Sequence, residues 1–209
     1  MYLTKTPFWL RAIYPTLTWR IDTLEKRLYL TFDDGPHPIA TIFVLEQLAK
    51  YNAKGTFFCI GKNVQSHPEI YQQIIAEGHQ IGNHTQTHLN GWNSKDADYI
   101  ENIAEAKKQI HSNLFRPPYG RIKKSQIRLL HSQDELPNQI IMWDVLSGDF
   151  DKNKSGKDCA STVIKKSNAG SIVVFHDSEK AWKNVSVALP LVLAHFSTLG
   201  YSFDILPLK

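Results

Sequence analysis

The chain is poor in cysteine, in long apolar runs and in charge of one sign, and each shortage removes a class of protein. Two cysteines stand in 209 residues, Cys59 and Cys159, and neither has a Cys-x-x-Cys neighbour. That excludes a disulfide framework and argues against a thiol redox or cysteine–zinc centre. No run approaches the ~20 apolar residues that a membrane span needs. Pro7, Arg11 and Pro15 interrupt the N-terminal segment, so it does not read as a signal peptide. A net charge of +4, without a dense Lys/Arg stripe or a nucleic-acid-binding module, permits an anionic partner but does not demand one. No repeat, low-complexity tract or linker divides the chain. The expectation is one soluble globular domain in the cytoplasm, and 42% hydrophobic residues are enough for a single large core.

What the chain does have is four clusters of reactive residues, each at the end of an apolar stretch. The β-prone run at 27–32 leads into Asp33-Asp34-Gly35-Pro36, where a strand ends at a breaker. Side chains alternate along a strand, so the two carboxylates diverge and can take separate jobs. His84-Thr85-Gln86-Thr87-His88 reads as two imidazoles at i and i+4 on one face of a helical turn. With one carboxylate they make a set that leaves metal positions open for chemistry. In Arg116-Pro117-Pro118-Tyr119-Gly120 the prolines forbid regular structure. Such a rigid loop can present the Tyr119 N–H to an oxyanion, while Arg116 can hold a carboxylate. The continuous apolar run at 171–175 ends in His176, a position suited to a general acid.

In this order the clusters resemble the polysaccharide deacetylase family, also called the NodB-homology or carbohydrate esterase 4 family, from about Lys26 to near the C-terminus. The resemblance implies that Asp33 is the general base and that Asp34, His84 and His88 hold one divalent metal ion, usually zinc. It implies that Arg116 orients Asp33 and tunes its basicity, that the Tyr119 N–H joins the oxyanion hole, and that His176 protonates the leaving group. Pro118, Trp143, Leu146, Phe150 and Val174 would line the substrate. The family pattern is broken at Leu146, where an Asp that supports the catalytic His is expected, and Phe150 and Val174 replace a Trp and a Leu. Asp144 and Asp149 remain as alternatives for that support. The implied activity is hydrolysis of N-acetyl groups on amino sugars of a glycan such as peptidoglycan or a chitin oligomer. An O-acetyl esterase of xylan type and a catalytically silent carbohydrate-binding barrel are the alternatives.

Periodicity alternates strands near 27–33, 54–59, 79–83, 114–116, 139–143, 171–176 and 201–205 with helices near 39–51, 62–77, 95–113, 122–132, 157–168 and 185–199. Such alternation argues for a parallel sheet with its site on one rim. The chain is short for eight units, which suits the distorted seven-stranded barrel that the resemblance implies. Residues 1–25 form an aromatic-rich segment ahead of the 26–209 domain. Its part from 7 to 21 is expected to plug the barrel bottom, with interfacial membrane contact as the alternative. His67, His79, His111, His131 and His195 have no convergent partners in the sequence and read as structural or solvated. His37, directly after the Asp-Asp-Gly-Pro turn, reads as a loop residue.

Overall fold

The structure, a computed structural model, describes residues 2–208. In chain order the elements are α1 (Phe8–Ile13), β1 (Arg27–Asp33), α2 (Ala40–Lys50), β2 (Gly55–Cys59), α3 (Gly61–Ser66), α4 (Pro68–Ala76), β3 (Gln80–Asn83) and α5 (Asp96–Lys107). There follow β4 (Leu114–Phe115), α6 (Lys124–His131), β5 (Gln139–Ile140), β6 (Val145–Leu146), α7 (Gly156–Lys166), β7 (Ile172–His176), α8 (Trp182–Thr198) and β8 (Ser202–Phe203). Seven strands pair in the order β5-β4-β3-β2-β1-β7-β6, and β8 adds to the start of β1. Every pairing is parallel, so the sheet curls as an open (β/α) barrel with the helices outside. Among the described residues no helix is long and apolar enough to cross a membrane.

β1 is the axis of the fold. Six of its seven residues are buried, the continuous burial expected of a central parallel strand. Phe32 stacks on Phe57 of β2 at 4.9 Å and faces Phe175 of β7 at 6.2 Å. The register sets Asp33 beside Phe58 on one side and His176 on the other. Two of the four reactive clusters therefore end level on the same rim, because hydrophobic packing fixes the strands that carry them.

The sheet stays open between its outer strands, β5 and β6, and the N-terminal segment fills that gap. Lys5 bridges Val145, Thr18 bridges Ile141, and Arg20 bridges Ser171. The buried carboxylate of Asp144 accepts from Lys5 Nζ at 2.6 Å, Arg11 Nη2 at 2.5 Å and Ser171 Oγ at 2.6 Å, which clamps the segment in place. The expected plug is therefore corrected. The segment is not confined to the bottom: Ile21 N–H donates to Gly170 O just before β7, while Leu3, Thr6 and Leu10 line the same cleft as Asp33. α1 and the separate β6 are further departures from the periodicity reading. The expected helix at 62–77 is two helices, since Pro68 opens α4 at a position where its missing N–H costs nothing.

Candidate active site

The rim holds three groups of side chains, each fixed by a different device. Asp33 is the last residue of β1 and points into the barrel. There Arg116 Nη1 donates to its Oδ1 at 2.7 Å. Arg116 is fully buried, and its remaining donors reach Thr31 Oγ1 at 2.7 Å, Ile141 O at 3.2 Å and Met142 O at 3.0 Å. Its guanidinium lies 4.1 Å from the centre of the Phe58 ring. A buried cation with this many partners holds its carboxylate in one position. Thr31, which also donates to Val173 O at 2.7 Å, is a support that sequence reasoning missed.

Asp34 departs from the strand at φ 80°, which turns its carboxylate away from Asp33 toward the two histidines. His84 Nε2 lies 3.6 Å and His88 Nε2 3.2 Å from Asp34 Oδ1. These histidines are not on a helix. Residues 84–90 form a loop after β3, with Thr85 at φ 66° and His88 at φ 58°, and Asn102 of α5 accepts the Gln86 and Thr87 amides. The two imidazoles converge because of this bent loop, not helical spacing, which corrects the sequence reading. His84 Nδ1 sits 2.7 Å from Arg116 O, and a carbonyl only accepts, so Nδ1 carries the proton and Nε2 keeps its lone pair. Burial pulls His84 down to about 4, so it is neutral. His88 Nδ1 pairs with the Tyr119 hydroxyl at 3.1 Å.

The donor set fits a divalent cation. Asp34 Oδ1 is buried without a hydrogen-bond partner, and one ligand atom from each of Asp34, His84 and His88 falls within 4.8 Å of the others. A two-histidine, one-carboxylate set with further positions open is the pattern of a catalytic rather than a structural site.

The third group is centred on His176, at the end of β7. Asp149 accepts its ring Nδ1–H at 2.7 Å through Oδ1 and its backbone N–H at 2.7 Å through Oδ2. The choice left open by Leu146 is thereby decided. Asp149 orients His176, Asp144 holds the N-terminal segment, and Leu146 is a wall residue. Burial opposes charge on His176, but the Asp149 carboxylate beside it and the Asp34 and Asp33 charges outweigh this and raise it to about 9. One residue further, Asp177 is fully buried and accepts Gly35 N–H at 3.1 Å and the Thr41 hydroxyl at 2.6 Å, while its own N–H donates to Asp33 O at 3.1 Å. Burial pushes it up to about 8. It ties the turn that carries Asp34 to β7, and nothing in the sequence marked it.

Tyr119 has φ 61°, which leaves its side chain largely exposed at the cleft mouth. The amides of Gly120 and Arg121 are used within the turn by Pro117 O and Pro118 O. Among the described residues the Tyr119 amide has no such acceptor, which leaves it for an oxyanion. A cleft of about 800 Å³ joins all three groups and is walled by Trp143, Leu146, Phe150 and Val174. Pro118 is not on that wall. It is buried at the start of the turn, and Pro117 takes its place. His37 is a helix cap, its Nδ1 accepting the amides of Ile39 at 3.2 Å and Ala40 at 3.1 Å.

The family model described as polysaccharide deacetylase matches residues 20–134. A peptidoglycan-N-acetylglucosamine deacetylase of Bacillus cereus is 35% identical over 201 residues, 92% of this chain and 93% of that protein. A chitooligosaccharide deacetylase of Azorhizobium caulinodans is 30% identical over 165 residues, 76% of this chain and 77% of the relative. Among solved structures, the Bc1960 peptidoglycan N-acetylglucosamine deacetylase superposes with a TM-score of 0.87 at 29% identity, over 97% of this chain and 95% of that one. Extent of match, strand order and rim chemistry agree: the chain belongs to the polysaccharide deacetylase family, whose named relatives here are deacetylases acting on N-acetylated sugars.

Proposed function

We propose that this chain removes N-acetyl groups from amino sugars of a glycan of peptidoglycan or chitin-oligomer type. In this reading Asp34, His84 and His88 hold one zinc ion. The observation that carries it is the pair of buttressed couples, Arg116–Asp33 and Asp149–His176, which end side by side on β1 and β7 next to the ligand set. When bound, a divalent cation supplies a Lewis acid for the acyl oxygen and makes water easier to deprotonate. Asp33 takes the proton of the attacking water, with its position fixed by Arg116. The Tyr119 N–H donates to the oxygen that becomes negative as the acyl carbon turns tetrahedral. His176 gives its ring proton to the departing nitrogen. An amine is a poor leaving group without that proton, and a histidine raised to about 9 carries it at neutral pH, which favours an amide over an ester.

Acetate release from N-acetylchitooligosaccharides and from peptidoglycan fragments, with and without a chelator, tests this. Chelator-sensitive release from at least one of them is expected. A faster release from O-acetylated xylan would select the esterase reading, and no release from any of the three would leave a silent carbohydrate-binding barrel.

A further inference from the structure

The cleft does not stop at the space an acetyl group needs. Its lining also takes in Ile122, Met142 and, from the N-terminal segment, Leu10, Ile13, Tyr14, Leu17 and Trp19. These residues line the same cavity as Asp33, Asp34 and His176, so this annex and the reacting groups share one space. Its chemistry does not suit a sugar. Each pyranose hydroxyl needs a hydrogen-bond partner, yet among the annex side chains only the Tyr14 hydroxyl is free to offer one. Trp19 Nε1 donates to Tyr14 O at 3.1 Å and the Thr6 hydroxyl to Trp143 O at 2.6 Å. Tyr2 donates to Asp151 at 2.8 Å, and Lys5 and Arg11 are fixed on Asp144. A wall with so few free polar groups gains from apolar contact. The ring and charge surface that a glycan favours lies instead at the mouth of the cleft, where the Arg121 guanidinium sits 5.2 Å from the Trp92 ring.

We infer that the annex is an acyl-chain site, and that this enzyme hydrolyses amino-sugar amides with straight acyl chains longer than acetyl. The inference rests on the deacetylase reading and widens its substrate class. The chemistry is unchanged: water adds its oxygen to the acyl carbon, the C–N bond breaks, and the nitrogen takes a proton, which gives a fatty acid and a free amine. Each methylene moved from water into the annex should improve binding about fourfold. An acetyl pocket with a closed end would instead reject every added carbon.

The test is kcat/KM for chitobiose carrying N-acetyl, N-butyryl or N-hexanoyl groups, followed by amine release from the zinc-loaded full chain. KM should fall along the series, and the hexanoyl substrate should keep a kcat/KM of about a tenth of the acetyl value or more. Leu10→Asn and Ile13→Asn should each lower the hexanoyl-to-acetyl ratio by about tenfold, as lost apolar contact does. Ile13 is half exposed, so its variant should fold even if the other does not. Leu191→Asn, on the outer face of α8, should leave the ratio as it is. A hexanoyl rate below that tenth, or a ratio indifferent to both annex variants, overturns the acyl-chain site while the deacetylase reading stands. Loss of all three substrates overturns both.

Discussion

Asp149 uses both carboxylate oxygens on one neighbour, His176, and so sets its orientation and its charge together. The sign of the pH effect follows. A general acid must enter the reaction protonated, so kcat should hold up to the histidine's raised value of about 9 and fall above it. In Asp149→Asn burial still disfavours the charged ring, but the carboxylate that opposed it is gone. The alkaline limb of the kcat profile should then move to lower pH, with a loss of ~10²–10⁴-fold at neutral pH. Arg116→Met should strand Asp33 as a buried charge and cost about 3–5 kcal/mol in urea unfolding. Asp33→Asn should instead keep zinc binding and lose turnover. The candidate ligands, base and acid stood out at this scale because each falls in a short motif at the end of an apolar run. The choice of Asp149 over Asp144 as the support of His176 was not legible, since Asp149 and His176 lie 27 residues apart and meet only through strand pairing.

The β1–α2 turn depends on one close approach. A Cβ on Gly35 would collide with the carboxyl group of Asp177, which holds that turn against β7. Gly35→Ala should therefore destabilise the fold by about 1–3 kcal/mol, as overpacking does, and weaken zinc binding with it, which calorimetric titration would register. The N-terminal segment offers a second test. Asp144→Ala removes the shared partner of Lys5 and Arg11, so residues 2–20 should exchange amide hydrogens faster, and unfolding should ease by about 3 kcal/mol. The longer strands and helices were legible from periodicity because their burial repeats. The histidine loop was not, because a four-residue spacing fits a helical turn and a bent loop equally well, and the positive φ values at Thr85 and His88 leave no mark in composition. The role of the N-terminal segment was only half legible. Its aromatic content announced burial, but which surface it covers depends on where the sheet stays open.

At the scale of the whole molecule, a cation that binds only the folded chain must stabilise it. Zinc at about 100 times its dissociation constant should add about 2.7 kcal/mol, and a chelator should remove that gain in a thermal scan. His84→Ala should abolish the zinc-dependent rise in Tm, whereas His111→Ala should preserve it. The barrel and its rim could be inferred from sequence because four motifs each stand where a strand ends, at β1, β3, β4 and β7. The opening between β5 and β6 could not, since it arises from how far the sheet curls. One local feature bears on the history of the whole chain. Among the described residues, five other than glycine have positive φ, and four of them, Asp34, Thr85, His88 and Tyr119, lie in the turns and loops that carry the cleft's reactive groups. Left-handed backbone costs an ordinary side chain about 1–2 kcal/mol, so these positions work against the fold. Selection for heat resistance alone would replace them with glycine. Tyr119→Gly should raise Tm and lower turnover together, and a library screened only for solubility or thermal tolerance should drift toward inactive barrels through these four positions.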